Sequence, residues 1–295
     1  GRLTNPTHPM WEHFETPHEI QQPTYASKYP PGQGLILALG QVTAGHPVVG
    51  LWISVALAAA ATAWMLQGWM PRRWALLGGL LVALHTGIQL IWTQSYWGGN
   101  VAFIGGALVL GASARLRHAP RCRDAVWLAL GLAILANSRP FEGAVASLPV
   151  ALAMLRWLIG LAAEAPAADS NPERQRGGWG TTRWRFGLVS RPPNTDRTFP
   201  PSPPRRVVLT LAFVLAAAAA WMAYYNWRVT GSPWKMPYAV HEETYGAAPF
   251  FLWQPAGPLP EYRHARIARL HCWLLDTYLY QRTWPGFVGE KWVAL

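Results

Sequence analysis

Arg139 and Glu142 stand three residues apart in the run Asn137-Ser-Arg-Pro-Phe-Glu-Gly. Arginine's planar fork matches two oxygens of a phosphate at once, and a glutamate three residues on could orient it. The same spacing also suits a structural ion pair at a helix start. A second series, His85, Gln89 and Thr93, repeats every four residues and leads straight into Gln94-Ser-Tyr-Trp-Gly-Gly-Asn. On one helix it forms a polar stripe. Such a stripe either bonds a neighbouring helix or lines a wet cavity. Beside it, Tyr96, Trp97 and Asn100 offer aromatic faces and an amide to a sugar ring.

Residues 8–19, HPMWEHFETPHE, gather three histidines and three glutamates. That density raises the question of a metal. However, His8, His13 and His18 recur every five residues, about 140° apart on a helix, and Pro9 and Pro17 break any helix there. Zinc sites use tighter pairs such as His-x3-His. A polar loop in which Glu12, Glu15 and His18 line a substrate cleft is the alternative. The stretch TYASKYPPGQG, Thr24 to Gly34, then sets Lys28 and Tyr29 ahead of a Pro-Pro turn. Gly32 and Gly34 would release that turn into a helix. Tyr25, Tyr29 and Lys28 suit a membrane headgroup belt or the wall of a site at the membrane surface. Near the other end, Lys235, Tyr238, His241, Glu242, Glu243 and Tyr245 form a polar cluster that could add a second cation and acceptor contacts, or simply be solvated.

The elements that must position these residues follow from the distribution of charge. Only 13% of the 295 residues are charged, against 51% hydrophobic; a soluble domain carries about 25% charged. The runs 48–66, 74–92 and 207–227 hold no Asp, Glu, Lys or Arg, and each is long enough to cross roughly 30 Å of hydrocarbon as helix. The run 96–114 makes a fourth span, and 144–155, prolonged past Arg156 to 163, a fifth. The run 125–136 is short, at about 18 Å of helical rise. Residues 35–44 predict a short helix lying in the outer interface, and 263–275 an amphipathic helix.

The net charge of +11 sits in particular places. Arg72 and Arg73 follow the first run, Arg115, Arg117, Arg121 and Arg123 follow the third, and Arg156 and eight more arginines precede residue 207. The positive-inside rule then puts 1–47, 93–100, 137–143 and 228–295 outside. The basicity is topological, and no basic-aromatic pattern for nucleic acid accompanies it. Cys122 and Cys272 fall on opposite sides, so no disulfide within the chain is expected. The expected organisation is an outer loop with an interfacial helix (1–47), a transmembrane bundle (48–163), a cytoplasmic disordered linker or insertion (164–206), a transmembrane helix (207–227) and an outer segment (228–295). The linker's Pro, Arg, Gly and Ser content gives it no apolar period. The chain starts at Gly1 rather than Met and reads as a fragment that begins inside an outer loop; Trp292 to Leu295 reads as the start of another apolar segment.

The order of Gln22-Pro-Thr-Tyr-Ala-Ser-Lys-Tyr-Pro-Pro-Gly-Gln-Gly-Leu, a short apolar helix, Ser95-Tyr-Trp-Gly-Gly, Ala136-Asn-Ser-Arg-Pro-Phe-Glu-Gly, and Asn226 through Gly231-Ser-Pro to Pro237-Tyr resembles the GT-C class of integral membrane glycosyltransferases. Within it the chain is similar to bacterial relatives of dolichyl-phosphate-mannose protein mannosyltransferases and of lipid A aminoarabinose transferases. The resemblance covers most of residues 1–260 apart from the linker. It implies an all-α polytopic transmembrane bundle in a bacterial inner membrane. It also implies transfer of a sugar from a polyprenyl-phosphate donor to a glycan, lipid or protein acceptor on the extracytoplasmic face. The family's catalytic Asp or Asp-Glu pair lies just after the first span, which places it upstream of Gly1, so no catalytic residue is carried over. Arg139, Glu142, Lys28, Tyr29, Lys235 and Tyr238 are then expected at the donor phosphate or the acceptor, and Tyr96, Trp97 and Asn100 at the sugar. No cofactor is implied, and a divalent metal stays open. A transporter or flippase of a lipid-linked substrate would want the same polar stripe and outer cation; a catalytically incomplete scaffold is the other alternative.

Overall fold

The computed structural model describes residues 4–164 and 203–287; most of the 164–206 segment, and Trp292 to Leu295, lie outside them. The chain is mainly helical, and four helices are long and apolar enough to cross a membrane: Pro47–Leu66, Gly99–His118, Pro140–Gly160 and Pro204–Thr230. It divides into two compact units. One comprises residues 31–219, the other residues 1–30 with 220–295.

The helical unit opens with α1 (Pro31–Ala44), followed by α2 (Pro47–Leu66), α3 (Arg72–Leu84), α4 (Gly99–His118), α5 (Cys122–Ala136), α6 (Pro140–Glu164) and the first part of α7 (Pro204–Thr230). Helix α1 begins at the second proline of Pro30-Pro31, where fixed φ favours a first helical position; Gly32 and Gly34 lie inside the helix rather than ahead of it. It folds back on α2, with Gly40 facing Gly50. Small residues bring other pairs together. Ala112 of α4 and Ala125 and Ala129 of α5 are fully buried, and Gly105 of α4 meets Gly131 of α5 backbone to backbone. Packing through small residues is what apolar helices use when lipid competes for their large ones. Leu116, Leu128, Leu135 and Val207 complete that core. At its far end Arg115 donates from Nη2 to the Trp64 carbonyl (2.6 Å) and from Nη1 to the Gly111 carbonyl (2.8 Å), with its guanidinium 3.9 Å from the Trp64 ring. By contrast, Val145, Leu148, Leu152 and Leu155 of α6 and Phe213 of α7 are exposed. An apolar face of that extent needs covering.

The run 74–92 is not one helix, which corrects the span expected there. Helix α3 stops at Leu84, His85 turns extended (ψ 115°), and a π-turn takes Ile88–Trp92. The cause is local: the His85 ring accepts from the Ile88 N–H through Nδ1 at 3.3 Å, so a side chain takes a backbone donor the helix needs. The four-residue stripe His85, Gln89, Thr93 therefore does not exist as a helix face.

In the second unit, residues up to Pro30 form a 3-10 turn at Trp11–His13 and a small antiparallel pair, β1 (Glu19–Ile20) and β2 (Ala26–Ser27). The end of α7 supplies Tyr225 and Val229, which pack with Ile20, Ala26 and Val240, and Thr24 donates its hydroxyl to the Val229 carbonyl at 2.7 Å. Then come α8 (Pro237–Tyr245) and α9 (Ala265–Gln281). The latter is the amphipathic helix expected near 263–275, extended by six residues at its C-terminal end.

Candidate functional site

In the helical unit, the first turn of α1 touches the starts of two other helices. The Gly32 N–H donates to the Asn137 carbonyl at 2.7 Å, three residues before α6 begins. A Cβ at position 32 would lie 2.6 Å from that same oxygen, so only glycine permits the approach. One residue on, Gln33 meets Gly98, whose φ of 77° also calls for glycine and which immediately precedes α4. The Pro-Pro-Gly-Gln-Gly, Trp-Gly-Gly-Asn and Ser-Arg-Pro-Phe stretches thus open three helices side by side. Helix starts carry unpaired N–H groups and a positive dipole end; α4 has no side-chain cap on its own.

Gln33, Ser54, Trp92, Ser95 and Asn100 line a narrow cleft at this junction, too tight to admit a water-sized sphere. Asn100 is 3% exposed and donates from Nδ2 to Ser54 Oγ at 3.1 Å. The Ser54 hydroxyl spends its own proton on the Leu51 carbonyl at 2.7 Å, so its oxygen can only accept from Asn100. That fixes the amide: Oδ1 points the other way, buried and, among the described residues, without a donor, as are Gln33 Oε1 and Asn137 Oδ1. Buried acceptors without donors are uncommon and costly.

Arg139, two residues beyond Asn137, pairs with Glu142 at 3.1 Å, and both side chains are substantially exposed. This is the structural ion pair that the spacing allowed. Tyr96 and Trp97 are also exposed, Trp97 at 81%; only Asn100 of the three expected sugar residues lines the cleft. Gln33, Ser54 and Trp92 were not expected there.

The second unit holds a different arrangement. Lys28 is only 6% exposed, with Nζ 5.6 Å from the Tyr29 ring and 5.3 Å from the Tyr238 ring. Among the described residues it makes no ion pair. Burial pushes its pKa below the usual lysine value, with Glu242 pulling the other way. His18 stands by: its Nδ1 and the Tyr29 hydroxyl are 2.9 Å apart, and burial, then Lys28, lowers its pKa. His241 is fully buried and His271 nearly so, their rings 5.6 Å apart. His241 Nδ1 lies 3.5 Å from Glu242; among the described residues His271 Nε2 has no hydrogen-bond partner. Burial lowers both imidazoles below the ordinary histidine value.

Glu15 is the hub of the same unit. Its carboxylate, 4% exposed, accepts from the Tyr245 hydroxyl at 2.6 Å and lies 3.5 Å from Arg263 Nη1 and 3.7 Å from His264 Nε2. Burial, then this bond, pushes the Tyr245 phenol well up. Glu12 is exposed and meets Arg263 Nη2 at 3.3 Å. Lys235 is ion-paired with Glu243, so its charge is already met. Among the described residues no three His, Cys, Asp or Glu side chains are grouped to hold a metal ion.

No family model, no curated protein and no solved structure matches this chain.

Proposed function

We propose that this chain is part of a multispanning membrane glycosyltransferase that moves a sugar from a polyprenyl-phosphate donor to an acceptor on the outer face of a bacterial plasma membrane. The observation that carries this reading is the junction of three helix starts, where the stretches at 30–34, 97–100 and 138–141 meet. A phosphosugar needs positive ends and N–H donors for its phosphate beside polar atoms for its ring. The junction offers both, and Arg139 follows at its edge. Four apolar helices and the outward aliphatic faces of α6 and α7 suit a protein whose substrate is held by its lipid tail.

In the reaction, the acceptor oxygen attacks the anomeric carbon while a carboxylate takes its proton. The bond from that carbon to the phosphate oxygen breaks, and the electron pair leaves with the lipid phosphate, whose charge fixed cations and N–H groups stabilise. Arg139 serves as one such cation. No residue of this chain is assigned as the base. The test is transfer of label from radiolabelled polyprenyl-phosphate sugars by the full-length protein in membranes. Wild type should transfer, and Arg139→Ala should lower transfer about tenfold, the lower end for a charge-assisted hydrogen bond. A folded protein that transfers label from none of a panel of such donors would overturn the reading.

A further inference from the structure

Helix α9 has two faces of different character. Ile267, His271 and Tyr278, one helical face by their spacing, are buried in the second unit. The opposite positions, Arg266, Arg269, Trp273, Asp276 and Tyr280, are all exposed. Trp273 is 61% exposed, and Trp284, just beyond the helix, 78%. The Tyr278 hydroxyl donates to the Gln254 carbonyl and so ties a neighbouring loop to α9. In that loop Trp253 is exposed as well, stacked on Phe251 with ring centroids 4.5 Å apart. Large apolar rings gathered on a surface mark a face that something covers.

Charge narrows what covers it. From Ala265 to Arg282 there are three arginines, Arg266, Arg269 and Arg282, against one carboxylate, Asp276. Among the described residues none of the three arginines has a carboxylate partner, unlike Arg263, which meets Glu12 and Glu15. A two-fold contact between copies would set this positive strip against itself. A bilayer with anionic headgroups would instead take the rings at its interface and the guanidinium groups at its phosphates. The same unit also carries its own tie to a membrane. Its share of α7, from residue 220 onward, ends a helix long and apolar enough to cross one. There Trp221, Tyr224 and Trp227 form an exposed ladder, with ring centroids 6.1 and 6.2 Å apart, of the residue types that settle at headgroup level. Ile20, Ala26 and Val240 pack on Tyr225 and Val229 of the same turns, which fastens the body of the unit to that end of the helix.

We infer that the arginine and aromatic face of α9 rests on the membrane surface, with its rings among the headgroups and Arg269 and Arg282 on anionic lipid phosphates. The inference does not depend on the transferase reading. A seated α9 holds this unit on the bilayer, within reach of molecules carried by a lipid tail.

The test is a nitroxide depth measurement on the full-length protein in nanodiscs of phosphatidylcholine with phosphatidylglycerol. In a Cys122→Ala/Cys272→Ala background, single labels are placed through Trp273→Cys, Tyr280→Cys or, as a reference in water, Glu261→Cys, all at exposed positions. Thermal unfolding checks that each variant folds, and Trp284→Cys replaces either helix variant that does not. Labels at 273 and 280 should be about threefold less accessible to an aqueous nickel chelate than the label at 261, as immersion to the headgroup boundary requires. That difference should shrink to roughly half in pure phosphatidylcholine, and likewise in Arg269→Gln/Arg282→Gln with the anionic lipid present. Equal accessibility at all three positions would overturn the inference. So would shielding at 273 and 280 accompanied by dipolar coupling between labels on two copies, the signature of a contact between chains. A difference that survives both the neutral lipid and the arginine variant would overturn the assignment of anionic headgroups as the partner.

Discussion

The helix junction and the Lys28 neighbourhood place their polar groups in opposite ways. At the junction almost every group is neutral: backbone N–H groups at helix starts, amide oxygens and a serine tied to a carbonyl. A cation at its edge, Arg139, is exposed and paired with Glu142. Around Lys28 the groups are ionisable and buried, and the ammonium lies against tyrosine faces, with Glu242 close enough to favour its charge. The lesson is that a cation's readiness for an anion depends on whether its charge is already met, not on how conspicuous it is in the chain. A surface ion pair contributes about 0–1 kcal/mol; a buried ammonium costs far more to desolvate and gains correspondingly from any anion beside it.

The largest expected effect follows from that contrast. Lys28→Met should raise the free energy of unfolding by about 1–4 kcal/mol, because an apolar side chain of similar length removes the cost of burying an ammonium. A drop in thermal stability would make the ammonium part of what holds this region together. The next largest is Gly32→Ala. Its Cβ would press on the Asn137 carbonyl, which belongs to the backbone and has little room to give, so the protein should lose about 1–3 kcal/mol of stability. Unfolding in detergent reads the loss, and an unchanged midpoint would mean that the start of α6 moves aside freely.

Acid should affect the Lys28 side of the comparison. His241 and His271 have folded pKa values below the unfolded value of 6.5, so the unfolded chain binds more protons than the native one as pH falls below it. Stability from these two is therefore full above about pH 6.5 and declines as pH drops through their folded values. Lys28, Glu242, His18, Tyr245 and Tyr262 surround them. Thermal unfolding between pH 7.5 and 5 should show the decline, and the double variant His241→Phe/His271→Phe should flatten it. A slope unchanged in that variant would move the origin elsewhere. The smallest effect is at the edge of the junction: Glu142→Gln releases Arg139 and should tighten bare lipid-phosphate binding by about two- to threefold, within the range of a surface pair. Weaker binding would mean that Glu142 orients the arginine rather than competing for it.

Much of the helical framework was legible in the sequence. The uncharged runs at 48–66, 96–114, 144–163 and 207–227 correspond to α2, α4, α6 and α7 to within a turn or two, because length and absence of charge are strong signals for apolar helices. The run 74–92 misled for a local reason: a histidine ring competing for one N–H is invisible to hydropathy. The site was legible only as pieces. The Gly-Gln-Gly, Gly-Gly-Asn and Ser-Arg-Pro stretches each stood out, but that they meet depends on a missing Cβ at position 32 and one backbone hydrogen bond across 105 residues of chain. Gln33 lay inside a quoted motif and carried no charge to mark it. The Glu15–Tyr245 bond joins residues 230 apart, beyond any spacing rule, and the burial of Lys28 is a property of the packing around it.

The most direct measurement is where a donor sits. Full-length protein in membranes would be photolabelled with a short-chain polyprenyl-phosphate hexose carrying a diazirine on the sugar, and the labelled peptides identified by mass spectrometry. Label on the peptides holding residues 30–34, 97–100 or 138–141, displaced by unlabelled donor, is the predicted result. Displaceable label confined to peptides outside residues 31–142 would contradict the assignment of the helix junction as the donor site.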